Sequence, residues 1–130
     1  MPRRLKHLRV LAACFALAAV SACAPRDSGA TDPGGDSVIV VASSGTAPMY
    51  SWTGPFAVSI NVARASAPSV AVWGISSPIN RNIASGAQQG VVPAGATETA
   101  TTERVLTAGV QYRVTVALID GTSGSVDFTP

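Results

Sequence analysis

The chain has few of the residues that enzymes use for chemistry. Among its 130 residues it has one histidine, two cysteines and a single lysine. All of them lie within the first 23 positions: Lys6, His7, Cys14 and Cys23. The absence of imidazole, amine and thiol side chains beyond Cys23 excludes Ser–His and Cys–His nucleophiles, lysine bases and most transition-metal sites. We therefore predict no catalytic residue, no metal site and no cofactor, and expect that the protein is not an enzyme.

Basic residues are also scarce outside the N-terminus. The net charge of +2 depends on four basic residues within the first nine positions. Beyond Cys23, five arginines stand against seven carboxylates, a net charge of −2. Because affinity for nucleic acid depends on cationic contacts to phosphate, nucleic acid is not an expected partner.

The N-terminus carries an ordered series of targeting signals. Residues 1–9, MPRRLKHLR, are basic, and residues 10–20, VLAACFALAAV, are apolar. A membrane-spanning helix needs about 20 apolar residues, so this run of eleven is too short to span and suits a signal-peptide core. The next residues, VSAC from Val20 to Cys23, resemble the lipobox of bacterial lipoproteins.

That resemblance implies a signal peptide over residues 1–22, cut between Ala22 and Cys23. It also implies that Cys23 carries a diacylglyceryl group and that its new N-terminus is acylated, for example by palmitate. Two or three chains on one residue would anchor the protein firmly, whereas one chain binds only marginally. Ala24 is not the Asp that favours retention in the inner membrane of enteric bacteria. We expect a cell-envelope location, with the outer membrane or periplasm favoured and the cell surface as the alternative.

Two other interpretations of this region are weaker. LAAC, from Leu11 to Cys14, also matches the lipobox pattern. Cleavage before Cys14 would leave an apolar run of only about six residues, below the 7–15 of a signal-peptide core. An ordinary buried cysteine in a soluble N-terminal helix would not explain why basic cluster, apolar core and lipobox occur in that order.

A short linker separates the lipobox from the rest of the chain. Residues 24–37, APRDSGATDPGGDS, are small, polar and interrupted by Pro and Gly. This composition predicts a disordered tether over residues 23–37, about 20 Å long as a flexible coil. Its three aspartates are irregularly spaced and lack a closing glutamate, which argues against a calcium site.

Residues 38–130 show the pattern of an all-β domain. Val, Thr, Ser, Gly and Pro dominate, and short alternating runs are separated by turn residues. The strongest strand is VQYRVTVALI at 110–119, with Tyr112, Val114, Val116 and Leu118 predicted to point inward. In FAVSINVAR at 56–64, Val58, Ile60 and Val62 are predicted to share one face. About seven strands joined by turns predict a single antiparallel β-sandwich.

One motif points to a family of such sandwiches. LTAGVQYRVTV, from Leu106 to Val116, resembles the tyrosine corner of fibronectin type III and related immunoglobulin-like domains. The resemblance covers about residues 38–130 and implies that the Tyr112 ring packs in the core while its hydroxyl bonds nearby backbone. It also implies that Trp52 is a core tryptophan. Ala108 stands where type III domains usually have proline, and the fold alone does not specify a ligand.

Carboxylates are the remaining candidates for chemistry. Glu98 and Glu103 flank a strand end, and Asp120 and Asp127 flank the last hairpin. Two carboxylates across a pocket can cleave a glycoside, but nothing in the sequence brings two of them together. We expect all four on the solvated surface.

Two features are candidate binding sites. Trp73 follows Val70 and Val72 in an alternating strand, so it either fills the core, which we favour, or faces out and stacks on a sugar or partner. The segment from Ser76 to Gly95 is long and irregular, and it contains Asn80, Arg81 and Asn82, which suit a recognition loop. A passive connection is the other interpretation of this segment, and the one we favour.

These observations favour a non-catalytic protein-binding module attached to the membrane through lipid on Cys23. The alternative is a structural spacer or an envelope lipoprotein that contacts carbohydrate. The partner is expected to be an envelope protein or a polysaccharide.

Overall fold

The structure is a computed structural model that describes residues 37–130. Every regular element in this part of the chain is a β-strand, and all strand pairs are antiparallel. Ala22 and Cys23, the predicted cleavage and lipid sites, lie outside the described residues. The eight strands are β1 (Val40–Ala42), β2 (Met49–Trp52), β3 (Ala57–Arg64), β4 (Ala71–Ser76), β5 (Ala87–Gln88), β6 (Thr97–Ala100), β7 (Tyr112–Leu118) and β8 (Ser123–Phe128).

The strands form two sheets, which confirms the predicted all-β sandwich. The smaller sheet has the order β1-β2-β5, and the larger has the order β6-β4-β3-β7-β8. The strand that the sequence pattern did not predict is β5, a two-residue strand inside the segment that was expected to be irregular. It exists because Met49 and Tyr50 of β2 offer it a partner.

The core lies between the two sheets and follows the predicted alternation closely in β7. Tyr112, Val114, Val116 and Leu118 are buried, and Arg113 and Thr115 between them are exposed. Trp52 is buried too, as the family resemblance implied. The smaller sheet also contributes Tyr50, whose ring stacks on Trp73 with centroids 6.3 Å apart.

The prediction for Val58 was wrong. Ala57 pairs with Leu118 and Ser59 with Ala117, so Val58 is an extra residue on β3 and is only half-buried. A bulge of this kind shifts the alternation of a strand by one position. Ile60 and Val62, beyond the bulge, are fully buried as expected.

A second bulge affects β4. Trp73 pairs with Val62 and Ala71 with Ala63, which leaves Val72 unpaired between them. Val72 and Trp73 are therefore buried side by side, whereas Val70 is 62% exposed. The strict alternation assumed for this strand does not hold.

Tyr112 forms the bond to backbone that the resemblance implied. The amide N–H of Thr107 donates to the Tyr112 hydroxyl at 3.0 Å, and that hydroxyl donates to Glu103 Oε2 at 2.6 Å. Arg64 Nε donates to the other oxygen of Glu103 at 2.8 Å. These contacts attach the segment before β7 to the start of that strand and to the end of β3.

A second buried tyrosine ties the smaller sheet to the same segment. Burial raises the pKa of the Tyr50 phenol, which remains protonated and donates to Gln89 Oε1 at 2.7 Å. Gln89 Nε2 donates in turn to the Glu103 carbonyl at 2.8 Å. The two sheets are thus joined by hydrogen bonds as well as by apolar contacts.

Candidate binding surfaces

Trp73 is a core residue, which is the interpretation that the sequence favoured. Its side chain is 0% exposed, and its indole N–H donates to Glu98 Oε1 at 3.0 Å. A fully buried indole cannot stack on a sugar or a partner, so Trp73 is removed from the candidate binding residues. Alternation from Val70 and Val72 would have turned Trp73 outward, but the bulge at Val72 buries Val72 and Trp73 together.

The segment from Ser76 to Gly95 is fixed at several points rather than free along its length. Ile83 exchanges two backbone hydrogen bonds with Ala57, at 2.8 and 3.1 Å. The Ser77 hydroxyl is fully buried and is placed to donate to Asn82 Oδ1 or the Gly95 carbonyl, 3.0 and 2.9 Å away. Only parts of this segment, including residues 78–82, are left exposed as a surface.

Asn80, Arg81 and Asn82 lie on that exposed part. The backbone of Arg81 has a φ of 47°, a left-handed conformation that is uncommon outside glycine. The turn is held by the Arg81 amide, which donates to the Ser77 carbonyl at 2.8 Å. Arg64, Arg104 and Arg113 pair with carboxylates, whereas Arg81 forms no such pair with the described residues.

Three connections meet at this end of the sandwich: residues 53–56, 77–83 and 119–122. We call this surface the loop end. The Ile119 amide donates to the Phe56 carbonyl at 3.1 Å, and the Ser77 amide donates to the Val58 carbonyl at 2.8 Å. Phe56 is 52% exposed, Ile79 90% and Ile119 39%. The loop end therefore presents apolar side chains to solvent beside Arg81, which lines one groove with Ile119.

The described chain also begins at the loop end. The Thr53 amide donates to the Ile39 carbonyl at 3.0 Å, and Ser37 lines a groove with Thr53, Pro55 and Asp120. Strand β1 then runs away from this end, because Val40 pairs with Trp52 and Ala42 with Tyr50. Any segment preceding Ser37 joins the domain here.

A second surface is the outward face of the smaller sheet, which we call the apolar face. Ile39, Val41 and Met49 are its large side chains, with exposures of 60%, 56% and 48%. Val41 lies opposite Ser51, two positions from Met49, so the two apolar side chains are diagonal neighbours. The other side chains on this face are uncharged: Ser43, Ser51, Thr53 and Gln88.

The outward face of the larger sheet has the opposite character. Arg113 and Asp127 form a two-bond ion pair across β7 and β8, with Nε–Oδ1 at 2.6 Å and Nη2–Oδ2 at 3.0 Å. The surrounding exposed side chains are polar: Asn61, Thr99, Thr115 and Ser125. A solvated sheet face normally has this polar composition, so the apolar face is the exception.

The four candidate carboxylates each have a structural partner. Glu98 accepts from Trp73 and Arg104, and Asp120 accepts from Thr122, whose hydrogen bonds lower the pKa of Asp120. The hydrogen bond from Tyr112, followed by Arg64, lowers the pKa of Glu103. The hydrogen bond from Arg113 does the same for Asp127. Glu98 and Glu103 are less exposed than expected, with side chains 11% and 14% exposed.

In residues 37–130, no three His, Cys, Asp or Glu side chains group as a metal site would require. No helix in this part of the chain is long and apolar enough to cross a membrane. No known protein family, curated protein or solved structure matches the chain.

Phe56, Ile79, Ile119 and the apolar face were not among the candidate sites predicted from the sequence. Phe56 and Ile119 were assigned to strand ends, where alternation carries little information about burial. The signal that was available is the position of each beside a turn: Phe56 follows TGP, and Ile119 precedes DG.

Proposed function

We propose that the protein is a lipoprotein of the bacterial cell envelope, anchored through Cys23, whose domain acts by binding another envelope protein rather than by catalysis. The order of basic segment, apolar core and VSAC supports the anchor. The lack of His, Lys and Cys beyond Cys23 supports a non-catalytic role.

The resemblance to fibronectin type III and immunoglobulin-like domains belongs to this proposal. Two observations support it. The first, second and fifth strands share one sheet, and β3, β7 and β8 are adjacent in the other, as A, B, E and C, F, G are in immunoglobulin domains. Tyr112, the first residue of the penultimate strand, accepts a hydrogen bond from the backbone amide of Thr107.

The observation that carries the binding role is the apolar face. Large side chains such as Val41 and Met49 stand exposed on a sheet that has no charge on that side. Exposed apolar patches bordered by polar residues are typical of protein–protein contacts. A protein surface with a complementary apolar patch fits this face better than a polysaccharide, which needs many hydrogen-bonding groups.

A co-purification experiment with charge variants tests the binding role. The acylated protein is crosslinked in cells and isolated with its partners from solubilised membranes. Val41→Asp, on edge strand β1, should lose a recurrent partner that Ser125→Asp retains, because Ser125 is on edge strand β8 of the polar face. If both variants retain the same partners, the apolar face is not the binding surface.

The anchor has its own test. Cys23→Ala should abolish acylation and leave a longer, unprocessed precursor, whereas Cys14→Ala should be processed and acylated normally. Mass spectrometry of the N-terminal peptide measures both. The reverse pattern would move the lipid site to Cys14.

The second candidate function is a spacer or a contact to carbohydrate. The exposed amides of Asn80 and Asn82 favour the latter, because they can hydrogen-bond sugar hydroxyls. Sedimentation with purified envelope polysaccharide, lost in Asn80→Ala, would support this role over protein binding.

A further inference from the structure

Two independent observations concern the loop end: its exposed apolar side chains and the start of the described chain. Its exposed apolar side chains are Phe56, Ile79 and Ile119, and the described chain begins at the same end of the sandwich. The opposite end of the sandwich, where β7 begins, lies about 20 Å away, because each step from Tyr112 to Leu118 rises about 3.3 Å.

We propose that the loop end rests on the membrane surface that holds the lipid of Cys23, with Phe56, Ile79 and Ile119 inserted among the headgroups. This inference rests on the proposed anchor. Fourteen residues separate Cys23 from Val38, and even fully extended they reach no more than about 50 Å. Because they join the domain at the loop end, this is the end that the anchor holds nearest to the lipid.

The composition of the loop end fits an interfacial contact. Apolar side chains of such contacts enter about 5–10 Å into the headgroup region, while cationic side chains remain among the phosphates. Arg81, adjacent to Ile119 in one groove, has no carboxylate partner among the described residues and can bind a lipid phosphate. Asp120 offsets its charge but is already bonded to Thr122. The contact is therefore driven by apolar insertion more than by net charge.

Three inserted side chains would bind a free domain to a membrane only weakly. A domain that is already anchored needs much less affinity for the same contact to form. A tether converts docking into an intramolecular event with an effective concentration on the order of millimolar. The lipid then supplies attachment, and the loop end supplies orientation. With the loop end facing the membrane, the apolar face on the side of the sandwich remains available to a protein partner.

Tryptophan quenching by lipid tests the orientation. The processed, acylated protein carrying Phe56→Trp is purified and reconstituted in phosphatidylcholine vesicles that contain brominated lipid. The matched control is Val105→Trp, at a position that is more open (66% exposed), next to Leu106, whose amide donates to the Thr46 carbonyl at the opposite end. Trp52 and Trp73 are buried, and the unsubstituted protein measures how much they contribute to the fluorescence and to its quenching.

We expect the added tryptophan of Phe56→Trp to be quenched about twofold or more and that of Val105→Trp to be unaffected, given an insertion depth of about 5–10 Å. Adding Ile79→Ser and Ile119→Ser to Phe56→Trp should abolish most of the quenching. Equal or absent quenching in both variants, with the chain still acylated and vesicle-bound, would overturn the orientation but not the anchor. A chain without lipid on Cys23 would overturn the anchor itself. Coverage of Phe56 by a co-purified protein instead of lipid would also refute the proposal.

Discussion

Removing one oxygen from Tyr112 tests the central contact of the fold. Tyr112→Phe keeps the buried ring and deletes the hydroxyl that donates to Glu103 Oε2 at 2.6 Å. A hydrogen bond to a charged group contributes about 1.5–3 kcal/mol to the free energy of unfolding. The Thr107 amide also loses its acceptor, but Thr107 is exposed and water can replace the bond.

We therefore expect Tyr112→Phe to lower the free energy of unfolding by about 2 kcal/mol. For a domain of this size, that corresponds to a fall in Tm of roughly 8–16 °C. Urea unfolding of the chain without its first 23 residues, followed by the fluorescence of Trp52 and Trp73, measures the change. An unchanged midpoint would refute the structural role of the hydroxyl.

A double-mutant cycle separates the Tyr112–Glu103 bond from other effects of the substitution. Tyr112→Phe and Glu103→Ala should be coupled by about 1–2 kcal/mol, because each removes the same hydrogen bond. Asp120→Ala is the control, since Asp120 lies beyond the far end of β7, about 20 Å from Tyr112. Its effect should add to that of Tyr112→Phe within about 0.5 kcal/mol. Zero coupling in the first pair would contradict the observed contact.

Three further predictions concern acid stability, backbone spacing and a surface ion pair. The pKa values of Glu103 and Asp127 are lowered in the folded state, so the stabilisation by their charged forms is complete above the unfolded values of about 4 and is lost as the pH falls through the lower folded values. The urea concentration at the unfolding midpoint should therefore decrease when the pH is lowered below about 4. An increase in that concentration would contradict this prediction. Gly124→Ala should destabilise by about 1–3 kcal/mol, because the new Cβ would lie 2.5 Å from the Val38 carbonyl oxygen, and a neutral result in thermal unfolding would show that the segment before β1 can shift. Arg113→Ala should leave the urea midpoint nearly unchanged, because its ion pair is half exposed, and a clear fall in the midpoint would mean that the pair is coupled to the core.

Features that depend on local pattern could be predicted before the fold was known. Alternation with a period of two identified β7 and the burial of Tyr112, because every second side chain of a regular strand faces the core. The absence of His, Lys and Cys beyond Cys23 can be read from the sequence alone, and our expectation of a non-catalytic role depends on it. The tyrosine motif predicted a hydroxyl-to-backbone bond, and Thr107 supplies it.

The positions where alternation fails depend on pairing between strands. The bulges at Val58 and Val72 arise from pairing with neighbouring strands, so no pattern within one strand reveals them. The two-residue strand β5 forms only because β2 lies beside it. A strand that short has too few residues to show a period.

The two candidate surfaces also depend on tertiary structure. Phe56 and Ile119 are 63 positions apart in the sequence and become neighbours because the turns before β3 and after β7 lie at one end of the sandwich. Val41 and Met49 were apolar residues that local pattern would place in a core. They are exposed because the second sheet covers only one side of the first, and which side is covered depends on the whole fold rather than on any segment.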